Sequence, residues 1–339
     1  MSTVTLAGFN VDADTLTALE RGEPSPGPLT PETLSAAYAR ISRDPRPVGE
    51  LRADARFAVE RARASNERIV FGMGHASVAE HAVFNFDLVG LSRLAVEAVQ
   101  SHRLASYTEK SQRYIRLGED FVVPAEVAGT DREAPFRAFV LRCFERYASA
   151  CRRLEAAGVA AKLAGEDARY LLPLATSAQF GMTVNARTLE HLVSSLAANP
   201  LAEAREVGAR LHELGYAVAP SLLRYCEPRP ADSHRAADVA DAVRRIVEAT
   251  GAPADVKYAL VNVLLVQSTP EGDETILAAL ARGALGLDFP NALRWVRGLD
   301  DAQRDVLFRA ATNRMTLHDA APREFEHFVA TFQVTLSAA

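Results

Sequence analysis

A stretch of alternating sequence, followed at once by a helical stripe, most constrains the fold of this chain. Residues 82–89 read AVFNFDLV and place Phe84, Phe86 and Leu88 on one face, which predicts a strand with one buried side. Residues 91–102 carry apolar side chains at spacings of three and four, which predicts an amphipathic helix. The sequence therefore predicts a strand that leads directly into a helix.

Helical periodicity dominates most of the remaining sequence. Residues 176–184 are predicted to be extended, and Asn185 is predicted to cap a helix over residues 186–197, as asparagine commonly does. Residues 20–31 are rich in Pro, Gly and Ser and are predicted to form a loop. Further helices are predicted over residues 33–40, 51–70, 132–157, 164–172 and 201–216.

Length, charge and cysteine content exclude several classes of protein. At ~150 residues per domain, 339 residues predict about two domains. A net charge of −5 argues against a nucleic acid polymer as partner. No apolar run approaches the ~20 residues of a membrane helix, and the N-terminus lacks the basic start of a signal peptide. Three cysteines without a C-x-x-C pair predict reduced thiols, so we expect a cytoplasmic protein with no membrane partner.

Two segments of the C-terminal third resemble segments of the first third. Residues 274–282 match residues 32–40 at an offset of 242, and residues 326–334 match residues 80–88 at an offset of 246. Nearly equal offsets indicate a divergent internal duplication; the alternative is chance similarity in an Ala-rich sequence. With the proline-containing stretch near residue 230, the pattern predicts three parts: a domain over residues 1–226, a linker over residues 227–236 and a partial second copy over residues 237–339.

The densest polar cluster of the chain lies within residues 74–113 and allows three interpretations. A metal site would use His75, Glu80, His81 and His102, but a separation of six between the first two histidines does not give the helical H-x-x-x-H spacing that zinc favours. The histidines could instead be helix caps and buried core residues. The third interpretation is a site for an anionic cofactor, because the cluster also supplies arginines, hydroxyls and a carboxylate.

Residues 101–114, SHRLASYTEKSQRY, resemble the signature R-H-R-x-x-S-x-N-E-x-S-x-R-Y of the flavin-dependent thymidylate synthases. Seven signature positions agree, whereas Ser101 and Thr108 differ. Residues 74–81 are similar to the G-H-x-[ST]-x-x-E-H segment of the same family. The resemblance extends over about residues 33–216.

This resemblance implies an α/β (α+β) fold, with a mixed sheet and packed helices. It implies methylation of dUMP to dTMP with FAD as hydride carrier, NADPH as reductant and methylenetetrahydrofolate as methylene donor. It also implies a homo-oligomer with sites between subunits, either a tetramer or a dimer of two-copy chains; no metal is implied. By family position, seven residues would hold FAD: Ser77, Glu80, His102, Arg103, Asn185, Arg187 and His191. The substrate would be held by Glu109, Ser111, Arg113 and Arg169, and the catalytic residues would be His75, Ser111 and Arg169.

Four positions depart from the family pattern. Ser101 stands where the family has the first arginine of its signature, and Ala98 where it has a glutamine that faces dUMP. His191 stands in place of an asparagine near FAD, and Leu196 in place of an arginine that polarises the pyrimidine. Losing one such charge-assisted hydrogen bond costs ~3–4 kcal/mol, or roughly 10²–10³ in rate, so slow or absent turnover is expected. The alternative function is a non-catalytic paralogue that binds FAD or a nucleotide and acts as a scaffold.

Overall fold

The computed structural model of the chain describes residues 2–228, 230–250, 263–315 and 321–336. The chain divides into two compact units, unit 1 (Met1–Pro253) and unit 2 (Ala254–Ala338). The boundary therefore follows Pro253, whereas the sequence predicted a linker over residues 227–236. That stretch is helical from Pro230 onwards, because proline is well tolerated in the first turn of a helix, where its missing N–H has no partner to lose.

Unit 1 is built on a four-stranded antiparallel sheet in the order β1-β2-β4-β3. Its strands are β1 (Thr3–Phe9), β2 (Val83–Ser92), β3 (Ala105–Glu109) and β4 (Ser177–Asn185). The predicted strand at residues 82–89 and the extended stretch at residues 176–184 correspond to β2 and β4. The predicted combination of a sheet with packed helices is confirmed. The strand pairs among the described residues are all antiparallel, so this sheet is not mixed in direction.

Ten α-helices accompany this sheet within the described part of unit 1. They are α1 (Ala13–Glu20), α2 (Glu32–Arg40), α3 (Val48–Phe57), α4 (Val59–Asn66), α5 (Arg93–Gln100), α6 (Glu133–Ala156), α7 (Ala161–Ala168), α8 (Ala186–Ala197), α9 (Ala202–Val218) and α10 (Pro230–Thr250). The single helix predicted over residues 51–70 is instead broken at Ala58, where φ is −138° and ψ is 61°. It ends in a π-helical turn, Glu67–Gly72.

The core of unit 1 lies between the sheet and helices α5, α8 and α9. Every second residue of β2 and β4 points into it; Phe86 lies opposite Met182 and Leu88 opposite Phe180, and all four are buried. Helices α8 and α9 pack against each other beneath the sheet. This packing fixes the junction at which β4 ends and α8 begins, beside the segment that follows α5.

Unit 2 is smaller and contains a two-stranded antiparallel sheet of β5 and β6. Its elements are β5 (Val263–Ser268), α11 (Gly272–Leu285), α12 (Phe289–Arg297), α13 (Asp301–Thr312), a 3₁₀ turn (Arg323–His327) and β6 (Ala330–Val334). Parts of the predicted second copy, residues 251–262, 316–320 and 337–339, lie outside the described residues. Within the described ranges of both units, no helix is both long and apolar enough to span a bilayer.

Candidate cofactor and substrate site

A cavity of about 760 Å³ lies at the junction of β4 and α8. Its walls come from the 3₁₀ turn Ala76–His81, the segment after α5, the end of β4 and the first turns of α8. Six of the seven predicted cofactor residues line it: Glu80, His102, Arg103, Asn185, Arg187 and His191. The seventh, Ser77, is exposed and does not line the cavity. The structure thus brings together residues that lie more than 100 positions apart in the chain.

The N-terminus of α8 opens onto this cavity. Asn185 caps the helix, because its Oδ1 accepts a hydrogen bond of 2.9 Å from the backbone N–H of Thr188. Free N–H groups and the helix dipole make such an end attractive to anions. Arg103 and Arg187 add two guanidinium groups to the same cavity, so this part of it suits a phosphate-containing ligand.

One ion pair joins two walls of the cavity. Arg187 Nη1 lies 2.6 Å from Glu80 Oε1, and the two side chains are 48% and 44% exposed. A pair this exposed contributes ~0–1 kcal/mol. Arg187 can therefore exchange Glu80 for a ligand anion at low cost.

Two imidazoles lie at the same cavity, on His102 and His191. Burial lowers the pKa of His102 below its ordinary value of 6.5, and the nearby His191 lowers it further, against the opposing effect of hydrogen bonds with the backbone of Val99 and Ala98. The His102 ring is therefore neutral at pH 7, and it offers one hydrogen-bond donor and one acceptor rather than a charge.

The predicted substrate residue Arg113 lines a different cavity, of about 400 Å³, beside α7. Its Nε lies 2.8 Å from Glu166 Oε1 on that helix. Ser111 Oγ accepts a hydrogen bond of 3.1 Å from the backbone N–H of Arg113. Lys162 Nζ lies 4.5 Å from the centre of the Tyr114 ring in the same cavity, and with Arg113 and Arg116 it gives this space three cationic side chains.

The predicted substrate residues Glu109 and Arg169 lie beside α5 and directly after α7, respectively. Glu109 ends β3, and both of its oxygens accept hydrogen bonds from α5, one from Arg93 and one of 3.3 Å from Gln100 Nε2. Arg169 begins the 3₁₀ turn after α7, and its guanidinium lies 5.6 Å from the centre of the Tyr170 ring. Its Nε is buried without a hydrogen-bond partner, and such a donor is available to a ligand.

Within one chain, the structure does not bring the predicted substrate and catalytic residues to the first cavity. None of Glu109, Ser111, Arg113 and Arg169 lines it. His75 is exposed outside it, with its Nε2 3.3 Å from Arg43 Nη2.

The described residues do not have the geometry that the metal interpretation requires. The His81 ring packs edge-on against Tyr38 at 4.7 Å. In the ranges that the structure describes, no group of three or more His, Cys, Asp or Glu side chains is arranged to hold a metal ion.

Two of the residues that depart from the family pattern, Leu196 and Ser101, lie in different surroundings. Leu196 is 1% exposed and belongs to the core of unit 1, so its side chain does not face the cavity. Ser101 is exposed, and its Oγ donates a hydrogen bond of 2.9 Å to the Ala98 carbonyl.

The sequence analysis did not identify several polar groups of these sites. Thr183 and Thr188 line the first cavity, and Arg93 and Gln100 hold Glu109. Strand alternation could have found Thr183, since it shares a face of β4 with Asn185. No local pattern relates Arg93 to Glu109, because the contact depends on how α5 lies against the sheet.

Comparison with known proteins identifies the family. The sequence profile of the family described as "Thymidylate synthase complementing protein" matches residues 28–221, which is more than half of the chain. This chain belongs to that family. The predicted family resemblance is therefore confirmed.

Several curated relatives that match this chain are named flavin-dependent thymidylate synthases. The one from Geobacter sulfurreducens is 36% identical over 164 residues, which are 47% of this chain and 67% of the relative. The one from Pyrococcus abyssi is 35% identical over 129 residues, 36% of this chain and 49% of the relative. The match thus spans about half to two thirds of their length.

A solved structure, the UMP/dUMP methylase PolB from Streptomyces cacaoi bound with 5-Br dUMP, resembles the chain with a TM-score of 0.49 and 21% identity. The similarity covers 66% of this chain and 93% of that one.

Proposed function

We propose that this chain is a flavin-dependent thymidylate synthase, which methylates dUMP to dTMP. Membership of the family and the names of its curated relatives support the proposal. The observation that carries it is the cavity at the β4–α8 junction, because six residues expected to hold FAD line this one space.

The cavity fits FAD in size and in chemistry. A volume of about 760 Å³ lies within the range of ~300–1,000 Å³ typical of small-molecule sites. Arg103, Arg187 and the N-terminus of α8 would neutralise the pyrophosphate, and Asn185 and the two histidines would hydrogen-bond the polar edges. FAD bound there would supply hydride transfer, which no amino-acid side chain provides.

The groups proposed to bind dUMP are those around α7 and β3. Arg113 and the unpartnered donor of Arg169 would hold the phosphate, and Ser111 would reach the ribose or base. Glu109 is oriented by two donors from α5 and would accept a hydrogen bond from the pyrimidine. The proposed carbon donor is methylenetetrahydrofolate, and the proposed reductant is NADPH.

A complete active site is proposed to form between subunits of a homo-oligomer. None of the four proposed substrate residues lines the cofactor cavity of its own chain, and Arg113 borders a different cavity, so a neighbouring subunit would bring the substrate residues to the cofactor. The proposed compartment is the cytoplasm, because two of the three free thiols, Cys151 and Cys226, are buried and would stay reduced there.

The test is dTMP formation by the full chain, measured as tritium release from 5-³H-dUMP and by mass spectrometry. The mixture contains FAD, NADPH and methylenetetrahydrofolate. We expect slow product formation that requires all three, because Ser101 and Leu196 replace two arginines of the family pattern. Arg169→Ala should abolish turnover, whereas Arg137→Ala, which removes an exposed pair with Glu133 and a contact with the Phe121 ring, should not change it. Binding of dUMP without any dTMP would contradict the proposal and favour the scaffold function.

A further inference from the structure

The sheet of unit 2 reproduces the register of the first two strands of unit 1. The paired residues of β1 and β2 correspond to those of β5 and β6 when 259 is added to the residue numbers of β1 and 246 to those of β2. A bulge interrupts both ladders at the equivalent place, between Leu6 and Gly8 in β1 and between Leu265 and Gln267 in β5. Equivalent pairs are Val4–Leu88 with Val263–Val334, and Leu6–Phe86 with Leu265–Phe332.

The contact at the end of each ladder is also repeated. Asn10 Oδ1 accepts the backbone N–H of Val83 at 2.8 Å, and Thr269 Oγ1 accepts the backbone N–H of Val329 at 2.9 Å. In both cases the reverse backbone bond is present, from the N–H of the first residue to the carbonyl of the second. The same two offsets relate all of these residues.

An ion pair between helices is repeated as well. Glu32 on α2 pairs with Arg63 on α4, and Glu274 on α11 pairs with Arg304 on α13; each N···O distance is 2.6 Å. The offsets of 242 and 241 agree with those found in the sequence. Chance similarity of an Ala-rich sequence does not explain shared register, bulge and ion pair, so these contacts support a half-copy that corresponds to the β1–β2 part of unit 1.

In unit 1, the apolar face of β2 is covered by elements that come later in the chain. Strand β4 pairs along the second edge of β2, and α8 and α9 complete the core. Phe86 and Leu88 are consequently 1% and 0% exposed. The segment after α9 also donates the N–H of Ser221 to Glu32 Oε1 at 2.7 Å, and Glu32 is fully buried.

In unit 2 the equivalent apolar side chains of the strand are exposed. Phe332 and Val334 are 55% and 46% exposed, and within the described ranges β6 has a strand neighbour on one edge only. The Glu274 side chain is 21% exposed. Arg304 keeps a buried Nε that has no hydrogen-bond partner. An open edge beside exposed apolar side chains is a typical template for an added strand.

We propose that unit 2 is an acceptor half-domain that binds a partner polypeptide made of a strand followed by an amphipathic helix. The strand would pair antiparallel with β6 and carry an apolar residue at every second position, as β4 does. The helix would cover the apolar face that holds Phe332 and Val334, and a backbone N–H beyond it would reach Glu274. A second copy of this chain that paired through its own β6 would supply a strand, but neither the covering helix nor the backbone N–H for Glu274. A partner made of a strand and a helix therefore fits the surface better.

The test appends residues 172–225 of this chain, which carry β4, α8 and α9, to the C-terminus through a flexible Gly/Ser linker. In unit 1, Asp87 lies opposite Gly181, and the residue equivalent to Asp87 is Gln333. Gln333→Cys is therefore combined with Gly181→Cys in the appended copy, and the disulfide is mapped by mass spectrometry. The matched control combines Gln333→Cys with Gln179→Cys in the appended copy, which shifts the register by two residues.

We expect the first pair to crosslink at least about tenfold faster than the control, because a disulfide forms only across a Cα separation below ~7 Å. Phe332→Asp in unit 2 should abolish the difference. Equal rates for both pairs would overturn the proposal. So would a disulfide between two chains that carry only Gln333→Cys and no appended segment, since the occupant would then be a second copy. Protection of β6 amides from hydrogen exchange provides a second measurement, and it should rise only when the segment is appended.

Discussion

Leu196 shows how a residue that looks functional in sequence can be structural in the fold. It lies in the core beneath α9, where a Cβ on Gly208 would come within 2.8 Å of the Leu196 Cβ. We expect Leu196→Arg, which restores the family arginine, to lower the free energy of unfolding by about 3 kcal/mol or more, because it buries an unpaired charge. The control is Ser195→Arg on the exposed side of α8. Urea denaturation that finds both variants equally stable would contradict the buried position of Leu196.

His102 gives the residue-scale prediction for pH. Its pKa is lowered in the folded protein, mainly by burial. At a pH near or somewhat below the ordinary pKa of 6.5, the folded state therefore binds fewer protons than the unfolded state. The free energy of unfolding should therefore fall as the pH drops through about 6.5, and His102→Gln should reduce that slope. An NMR titration of the His102 ring that gives a pKa at or above 6.5 would show that the ring is not desolvated.

The place of Asn185 in the fold could be predicted because it lies at a junction of elements that local patterns define. Asn185 ends an alternating strand and caps a periodic helix, so its position at a helix N-terminus follows from sequence alone. The partners of Glu109 could not be predicted, because Arg93 and Gln100 reach it only through tertiary packing. Leu196 could be recognised as a departure, but not as a buried residue of the α8–α9 contact.

At the scale of elements, the repeated ion pair predicts a difference between the two units. Glu32 is fully buried and also accepts hydrogen bonds from Thr30 and Ser221, whereas Glu274 is partly exposed. We expect Glu32→Gln to cost about 3 kcal/mol or more, since it leaves Arg63 without its counter-charge. The matched Glu274→Gln should cost less, because the Glu274 side chain is 21% exposed. Denaturant unfolding followed separately for each unit by hydrogen exchange measures both, and equal costs would contradict the difference in burial.

Helix α8 was predicted correctly, whereas strand β3 and the break between α3 and α4 were missed. Helix α8 spans the predicted residues, because a capping asparagine and an apolar stripe both mark it. Strand β3 was not predicted, since it lies at the edge of the sheet and carries mainly polar residues. The break between α3 and α4 has no proline or glycine to mark it, and the sequence therefore predicted one helix.

At the scale of the whole molecule, the separate cavities that hold Arg187 and Arg113 predict active sites shared between chains. If each active site combines Arg187 of one chain with Arg113 of another, Arg187→Ala and Arg113→Ala are each inactive alone. When equal amounts of the two variants are unfolded, mixed and refolded together, activity should recover to at most roughly a quarter of the wild-type level. Random assembly combines an intact Arg187 with an intact Arg113 in about one site out of four. Light scattering on the mixture checks that oligomers have formed. Oligomers without recovered activity would contradict a site shared between these two residues.

The central claim is that the cavity at the β4–α8 junction binds FAD, and a binding titration of the full chain tests it most directly. Flavin fluorescence is followed as protein is added, and retained flavin is measured by absorbance after gel filtration. We expect saturable binding that Arg187→Ala weakens roughly tenfold or more, because a hydrogen bond to a charged group is lost. Arg210→Ala, which removes an exposed pair on α9, should leave the affinity unchanged. Absence of flavin binding, or equal affinity of the Arg187→Ala variant and the wild type, would contradict the assignment of this cavity.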